Sequence, residues 1–502
     1  LPVAGFSAIH LHNAPAGVNG PVILDVIQDA GGDITGATAD PDADTGDGNV
    51  FGEVVEINTL ISIENITGSD DGDVITGNTE ANVLIGNADD DFLVGAGGND
   101  ILDGGAGNDI LNGGGGTDII NGGEGIDTND FSTINAAAAD PAIAGVTVTL
   151  NADGTGTAEY IAGGIAGNPV IFEEFTGIEN ITGTNNNDAI IASGAAANVI
   201  DGGAGDDVIA GGGGTDILNG GEGIDTNSFQ GIGAEVVADL ASGAASYQPN
   251  PTTTVFENFQ GFENLLGSDN DDQLFGDGNN NVLSGADGND LLAGLGGNDI
   301  LNGGLGNDVL RGGGGADSLD GGEGIDTADF SDINAGVTAN LAAGTANYAA
   351  PNGNNVQDTV VNIENIVGSA NDDTLTGDAN DNEINGGAGA DVLNGGAGDD
   401  ILRGDAIGDG EAVVVTVTNT LPAGGTFLTP VWFGFHDGAN FDLFNAGEAA
   451  SLGLERLAED GSVEGIAAEF NQQVGDNGVD ATIIGGVGVP GPIDPGESAS
   501  FT

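Results

Sequence analysis

From Gly95 to Asp130 the chain repeats every nine residues without a slip: GAGGNDILD, GGAGNDILN, GGGGTDIIN, GGEGIDTND. Each unit is a glycine-rich six-residue turn, closed in nearly every unit by Asp, and then three residues whose middle one is usually large and apolar. Strict short periodicity restricts the fold to stacked copies of one small unit, because a single unit cannot bury its own apolar residue. Glycine lets the turn reach positive φ and permits close backbone approach. The Asp places a carboxylate at the same point in every turn. Two residues later, side chains such as Leu102, Leu111, Ile120, Leu301 and Leu310 supply a narrow core.

The repeats form four blocks, 68–130, 183–228, 267–329 and 368–404, inside a region spanning 51–410. In the first block the candidate metal ligands at the sixth position are Asp73, Asp91, Asp100, Asp109, Asp118 and Asp127. The second block contributes Asp188, Asp207, Asp216 and Asp225. The third has Asp272, Asp290, Asp299, Asp308, Asp317 and Asp326, and the fourth Asp373, Asp391 and Asp400. In each block the second unit carries Asn instead: Asn82, Asn198, Asn281 and Asn382. With one charge fewer, those units are expected to hold a cation weakly or not at all. A related tetrapeptide precedes each block, as at Ile178-Glu179-Asn180-Ile181 and Phe262-Glu263-Asn264-Leu265. The segments between blocks alternate apolar and polar residues around a Gly turn, which predicts hairpins or wider coils looped out of a solenoid.

The array resembles the RTX nonapeptide family. That resemblance implies an all-β chain whose centre is a parallel β-roll, or β-helix solenoid, with insertions. Two nonapeptides then make one eighteen-residue coil, and coils stack about 4.8 Å apart as paired strands. Sixth-position carboxylates one coil apart, with turn carbonyls, would surround a hard cation with about six oxygens, the ligand set calcium prefers. Zinc favours nitrogen and sulfur ligands, which this array lacks. Multiple Ca²⁺ ions are therefore the expected cofactor, and their binding energy becomes folding energy.

Charge makes the same demand. Eighty acidic residues face three Arg (Arg311, Arg403, Arg456) and no Lys, a formal net charge of −77. A chain so charged repels itself and is excluded as a nucleic-acid binder, since phosphate contacts need cationic side chains. Roughly fifteen calcium sites would cancel about thirty of those charges. There is no Cys, hence no disulfide and no thiol chemistry. No run of eighteen apolar residues suggests membrane insertion. The absence of Met, even at position 1, predicts that these residues are a piece of a longer precursor.

The flanks differ from the repeats. Residues 1–50 contain AIHLHNAPAGVNGPVILDV (Ala8 to Val26), which resembles part of a CHRD domain, with His10 and His12 on one strand face. Residues 411–502 contain VTNTLPAGGTFLTPVWFGFHDGANFDLFNAGEAASLGLERLAEDG, which resembles the bacterial form of the spondin N-terminal domain. That stretch predicts strands at Val413 to Asn419 and Thr429 to Gly438 and a helix over Gly447 to Gly461. Both flanks read as incomplete β-sandwich domains.

With His limited to His10, His12 and His436, and no HExxH, GxSxG or Cys nucleophile, no catalytic set is expected in these residues. The expected protein is a secreted, extracellular bacterial calcium-binding element with a structural or adhesive role. Incomplete terminal β-domains suggest completion by a neighbour's strand and head-to-tail growth into a filament or surface layer. The alternative is a calcium-dependent secretion and folding module of a larger enzyme or toxin exported by a type I system.

Overall fold

The computed structural model describes residues 55–56, 65–134, 145–161, 170–404, 415–418 and 498–501. The chain divides into two compact units, Leu1–Arg403 and Gly404–Thr502. In the first unit the strands go alternately to two long, mostly parallel sheets of 18 and 19 strands. Two strands and two turns close one coil, so residues pair with their equivalents 18 positions on. Leu84 pairs with Leu102 and Leu102 with Ile120 in one sheet; Leu93 pairs with Leu111 in the other. This is the stacked arrangement of a β-roll.

Strand alternation decides what is buried. The eighth-position residues Leu84, Leu93, Leu102 and Leu111 are fully buried between the sheets, whereas the adjacent Ile101 is 43% exposed. Most short strands thus donate one large side chain to the core, while the strands that end the first three blocks place Asn129, Asn227 and Ala328 there instead. The turns owe their shape to glycine at the fourth position. Gly107, Gly116 and Gly125 have φ of 148°, 145° and 155°, and a Cβ on Gly116 would strike the Gly98 carbonyl one coil back.

The segments between blocks enter the sheets as three-stranded antiparallel insertions. In the first, Thr147–Leu150, Gly156–Ile161 and Val170–Thr176 pair successively. Val170–Thr176 then pairs in parallel with Ile119–Glu124 of the block before, and Thr147–Leu150 with Ala189–Ala192 of the block after. The opposite sheet carries no insertion there, because Thr128–Asp130 lies directly against Asn180–Thr182. The second insertion, Val236–Asp239, Ala244–Asn250 and Thr253–Gln260, enters the other sheet. The third, Thr338–Asn340, Thr345–Ala349 and Asn355–Val361, returns to the first. The reason is parity: each insertion joins the sheet opposite the strand that ends its block. Phe131, Phe229 and Phe330 follow those final strands and join the core at 2% exposure.

In the second unit, Val415–Thr418 pairs antiparallel with Ser498–Phe501. The segment with His10 and His12, the strand expected at Thr429 to Gly438 and the helix expected at Gly447 to Gly461 lie outside the described residues. Among the described residues no helix is long and apolar enough to cross a membrane.

Replacing Leu102 by Ala should cost about 2–5 kcal/mol in calcium-containing buffer, the range for a buried cavity. Ile101→Ala, one residue away on the outer face, should cost about 0.5 kcal/mol. Denaturant titration followed by circular dichroism compares the two.

Candidate metal centre

The sixth-position carboxylates stack in two columns, one leading into each sheet. In one column the backbone N–H of Asp73 donates to Oδ1 of Asp91, that of Asp91 to Asp109, and that of Asp109 to Asp127, at 2.7, 2.8 and 2.8 Å. In the other, Asn82 donates to Asp100 and Asp100 to Asp118. The same bond links Asp188, Asp207 and Asp225, and Asp272, Asp290, Asp308 and Asp326. Asp299 donates to Asp317, Asn198 to Asp216, Asp373 to Asp391, and Asn382 to Asp400. All nineteen aspartates singled out from the repeat therefore lie in the columns. Seventeen are at most 3% exposed; Asp391 and Asp400, at the end of the array, are half-buried.

That bond uses one carboxylate oxygen. In Asp91, Asp100, Asp109 and Asp127 the other, Oδ2, is buried without a hydrogen-bond partner, as it is in Asp207, Asp225, Asp290 and Asp308. Leaving a buried charged oxygen unmatched is costly unless a cation meets it. The turn backbone adds further oxygens. A Cβ on Gly86 would strike both Asp91 Oδ2 and the Gly104 carbonyl; one on Gly104 would strike Asp109 Oδ2 and the Gly122 carbonyl. Glycine at the first position thus keeps open a space on which a carboxylate and the next coil's carbonyl converge. Among the described residues no three His, Cys, Asp or Glu side chains come together. The oxygens at hand beside each Oδ2 are the backbone carbonyls of the turns, an all-oxygen environment suited to a hard cation.

At the insertions the two columns part company. One runs on: the N–H groups of Asp127, Asp225 and Asp326 donate to Oε2 of Glu179, Glu263 and Glu364, each at 2.9 Å. The other is capped by an acid from the insertion and a tyrosine. Glu173 occupies the place one coil beyond Asp118, and the Tyr160 hydroxyl donates to Glu173 Oε1 at 2.6 Å. The same hydroxyl lies 2.9 Å from both the Gly114 and Gly116 carbonyls. Tyr247 meets Gly212 and Gly214 in this way, and Tyr348 meets Gly313 and Gly315. Second- and fourth-position carbonyls of one turn therefore aim at a single spot, which at these three turns is filled by a hydroxyl.

None of these capping residues stands out in the repeat alignment, yet the signal is present. Glu173-Glu174-Phe175, Glu257-Asn258-Phe259 and Asp358-Thr359-Val360 repeat the spacing of Asp100-Ile101-Leu102, an acid two residues before a core side chain. The Asn units differ in another way. The side-chain amides of Asn281 and Asn382 donate to the Glu263 and Glu364 carbonyls at 2.8 Å.

The family model for the RTX calcium-binding nonapeptide repeat matches residues 67–102, 94–128, 193–226, 259–292, 293–328 and 367–402. The chain carries RTX calcium-binding repeats. No curated protein matches it. Among solved structures it is similar to the extracellular lipase LipA from Serratia marcescens at 14% identity, with a TM-score of 0.13. That match covers 58% of this chain and 38% of the lipase, so this chain spans well under half of the lipase's length. A likeness so low carries no argument.

RTX nonapeptides bind multiple Ca²⁺ ions, and the unmatched Oδ2 atoms with glycine carbonyls beside them fit that metal. Bound calcium supplies the positive charge that stacked carboxylates lack. Without it, the RTX aspartates are forced toward the protonated form. Burial, reinforced by the charges of Asp109 and Asp73, pushes Asp91 up to about 7. Burial and Asp118 do the same to Asp100, and burial with Asp188 and Asp225 to Asp207, both to about 7. Burial also pushes the capping acids Glu173, Glu257 and Asp358 up to about 8. At neutral pH these caps are largely uncharged and need no cation.

The sign of the pH dependence follows. An Asp whose folded pKa is raised stabilises the metal-free fold fully below its unfolded pKa, about 3.9, and that contribution is lost as pH rises through about 7. Calcium-free protein should therefore gain ordered β signal on acidification from pH 7.5 to 5. Calcium affinity should move oppositely, weakening over the same range as protons compete. Circular dichroism on calcium-depleted samples and calcium titrations at both pH values check the pair. Separately, Tyr247→Phe should cost about 1–3 kcal/mol by leaving buried carbonyls unmatched, measured by thermal unfolding in calcium.

Proposed function

We propose that this protein is a secreted structural or adhesive element, non-catalytic in itself, whose repeat region orders when calcium is met outside the cell. One observation carries the reading: buried carboxylate columns join coil to coil through the repeat region. Groups so placed repel one another without a cation and bind one coil to the next with it. The outer faces suit a contact role. Seventh-position side chains stack in register, Ile101 against Ile119 and Val282 against Ile300, and remain exposed. Head-to-tail growth rests on the sequence resemblance of the flanking segments to CHRD and spondin N-terminal domains, since an incomplete β-domain of that kind would leave an unpaired edge that invites a neighbour's strand.

The test has two stages. Calcium titration with EGTA reversal, followed by circular dichroism, should show a reversible gain of β signal; an ordered spectrum after exhaustive chelation contradicts the reading. Light scattering and electron microscopy of the calcium-loaded chain at high concentration should then show extended assemblies. A strictly monomeric species that still folds with calcium would defeat assembly and favour a folding and secretion module for a larger enzyme or toxin.

A further inference from the structure

We propose that Glu179, Glu263 and Glu364 are calcium ligands, each completing with the last Asp of the preceding block a site that fastens one block to the next. The inference rests on the calcium reading of the columns and extends it to residues outside the nonapeptide pattern.

The junction reproduces a regular site in three respects. First, each glutamate occupies the sixth-position place: Ile181, Leu265 and Ile366, two residues further on, pair with Asn129, Asn227 and Ala328 of the preceding coil. Its Oε2 accepts the N–H of Asp127, Asp225 or Asp326 at 2.9 Å, as Asp127 Oδ1 accepts that of Asp109 at 2.8 Å. Second, Asp127, Asp225 and Asp326 are 0% exposed, and the Oδ2 of each has no hydrogen-bond partner. Third, the carbonyl that faces this oxygen is retained. A Cβ on Gly122, Gly220 or Gly321 would strike both that Oδ2 and the carbonyl of Gly177, Gly261 or Asn362. These three residues share φ values of 64°, 70° and 51°. Asn362, without glycine's freedom, shows that the conformation itself is what the place requires.

The need for Glu rather than Asp has a local cause. In a regular coil the seventh-position N–H donates to the carbonyl of the previous Asp, as Ile110 does to Asp91. At the junction the N–H groups of both Glu179 and Asn180 donate to Asp127, and the other two junctions repeat the pattern. The backbone is drawn in differently there, and the extra methylene of Glu spans the change. One coil later the amide of Asn198, Asn281 or Asn382 donates to the carbonyl of Glu179, Glu263 or Glu364. Each junction site is therefore the last of its run before a step closed by an amide.

Native mass spectrometry of the full chain in calcium, counting bound ions, tests the proposal. Gln at each position keeps an acceptor for the N–H without the charge, and Ala keeps neither. Each single variant should bind one ion fewer than the parent, and the triple Glu179→Ala, Glu263→Ala, Glu364→Ala variant three fewer. The control Glu174→Gln, which removes an exposed charge, should leave the count unchanged. Should the triple variant fail to fold, the single variants decide, with circular dichroism in calcium confirming their β content. Ala variants that retain the parent's count overturn the proposal while leaving the calcium columns intact. A parent chain with no bound ions removes the calcium reading itself, and this inference with it.

Discussion

Each coil holds the next through a carboxylate that accepts the backbone N–H of its counterpart one coil earlier. The bond places like charges in a stack. At an effective dielectric of about 20, two charges about 5 Å apart repel by roughly 3 kcal/mol. A hydrogen bond to a charged group contributes about 1.5–3 kcal/mol. The two nearly cancel, and a core of at most one large side chain per short strand leaves little surplus. Hence the second oxygen of each Asp decides the outcome: protonated or metal-bound, the column holds; ionised and alone, it comes apart.

The block junctions divide this task between two chemistries. On one column a longer acid carries the hydrogen-bond pattern across the break. On the other, a tyrosine hydroxyl and a largely neutral Glu or Asp close the turn. The hydroxyl has one hydrogen for two carbonyls and a carboxyl group, a poorer match than a divalent cation but one that needs no calcium. All three tyrosines of the chain, Tyr160, Tyr247 and Tyr348, serve this purpose.

Much of this was legible in the nonapeptide itself. Period, turn glycines and the acid-x-apolar spacing placed all nineteen aspartates and the central row of Leu and Ile residues. The junctions were harder to read. Glu179 and Glu173 keep the acid-x-apolar spacing but lie in stretches without the nonapeptide's glycine spacing, so the surrounding pattern that marks an Asp is missing. The tyrosines were less visible still. Tyr160 reaches Gly114 and Gly116 across more than forty residues of chain, a contact set by strand pairing that no local motif encodes. Which sheet accepts an insertion is likewise non-local, depending on the parity of the preceding units. The antiparallel character of the insertions was visible in their alternation, as in the exposed Thr147 and Thr149 beside the buried Val148 and Leu150.

Every insertion spares one of the two sheets. Where Thr128–Asp130 meets Asn180–Thr182, the hydrogen-bonded ladder crosses the junction as though nothing had been added. A folding front moving from coil to coil therefore finds a ready template on the spared side and need not nucleate again, which in a quasi-one-dimensional fold is the costly event. Loops of different lengths can thus be accommodated between blocks without dividing the array into separately folding pieces.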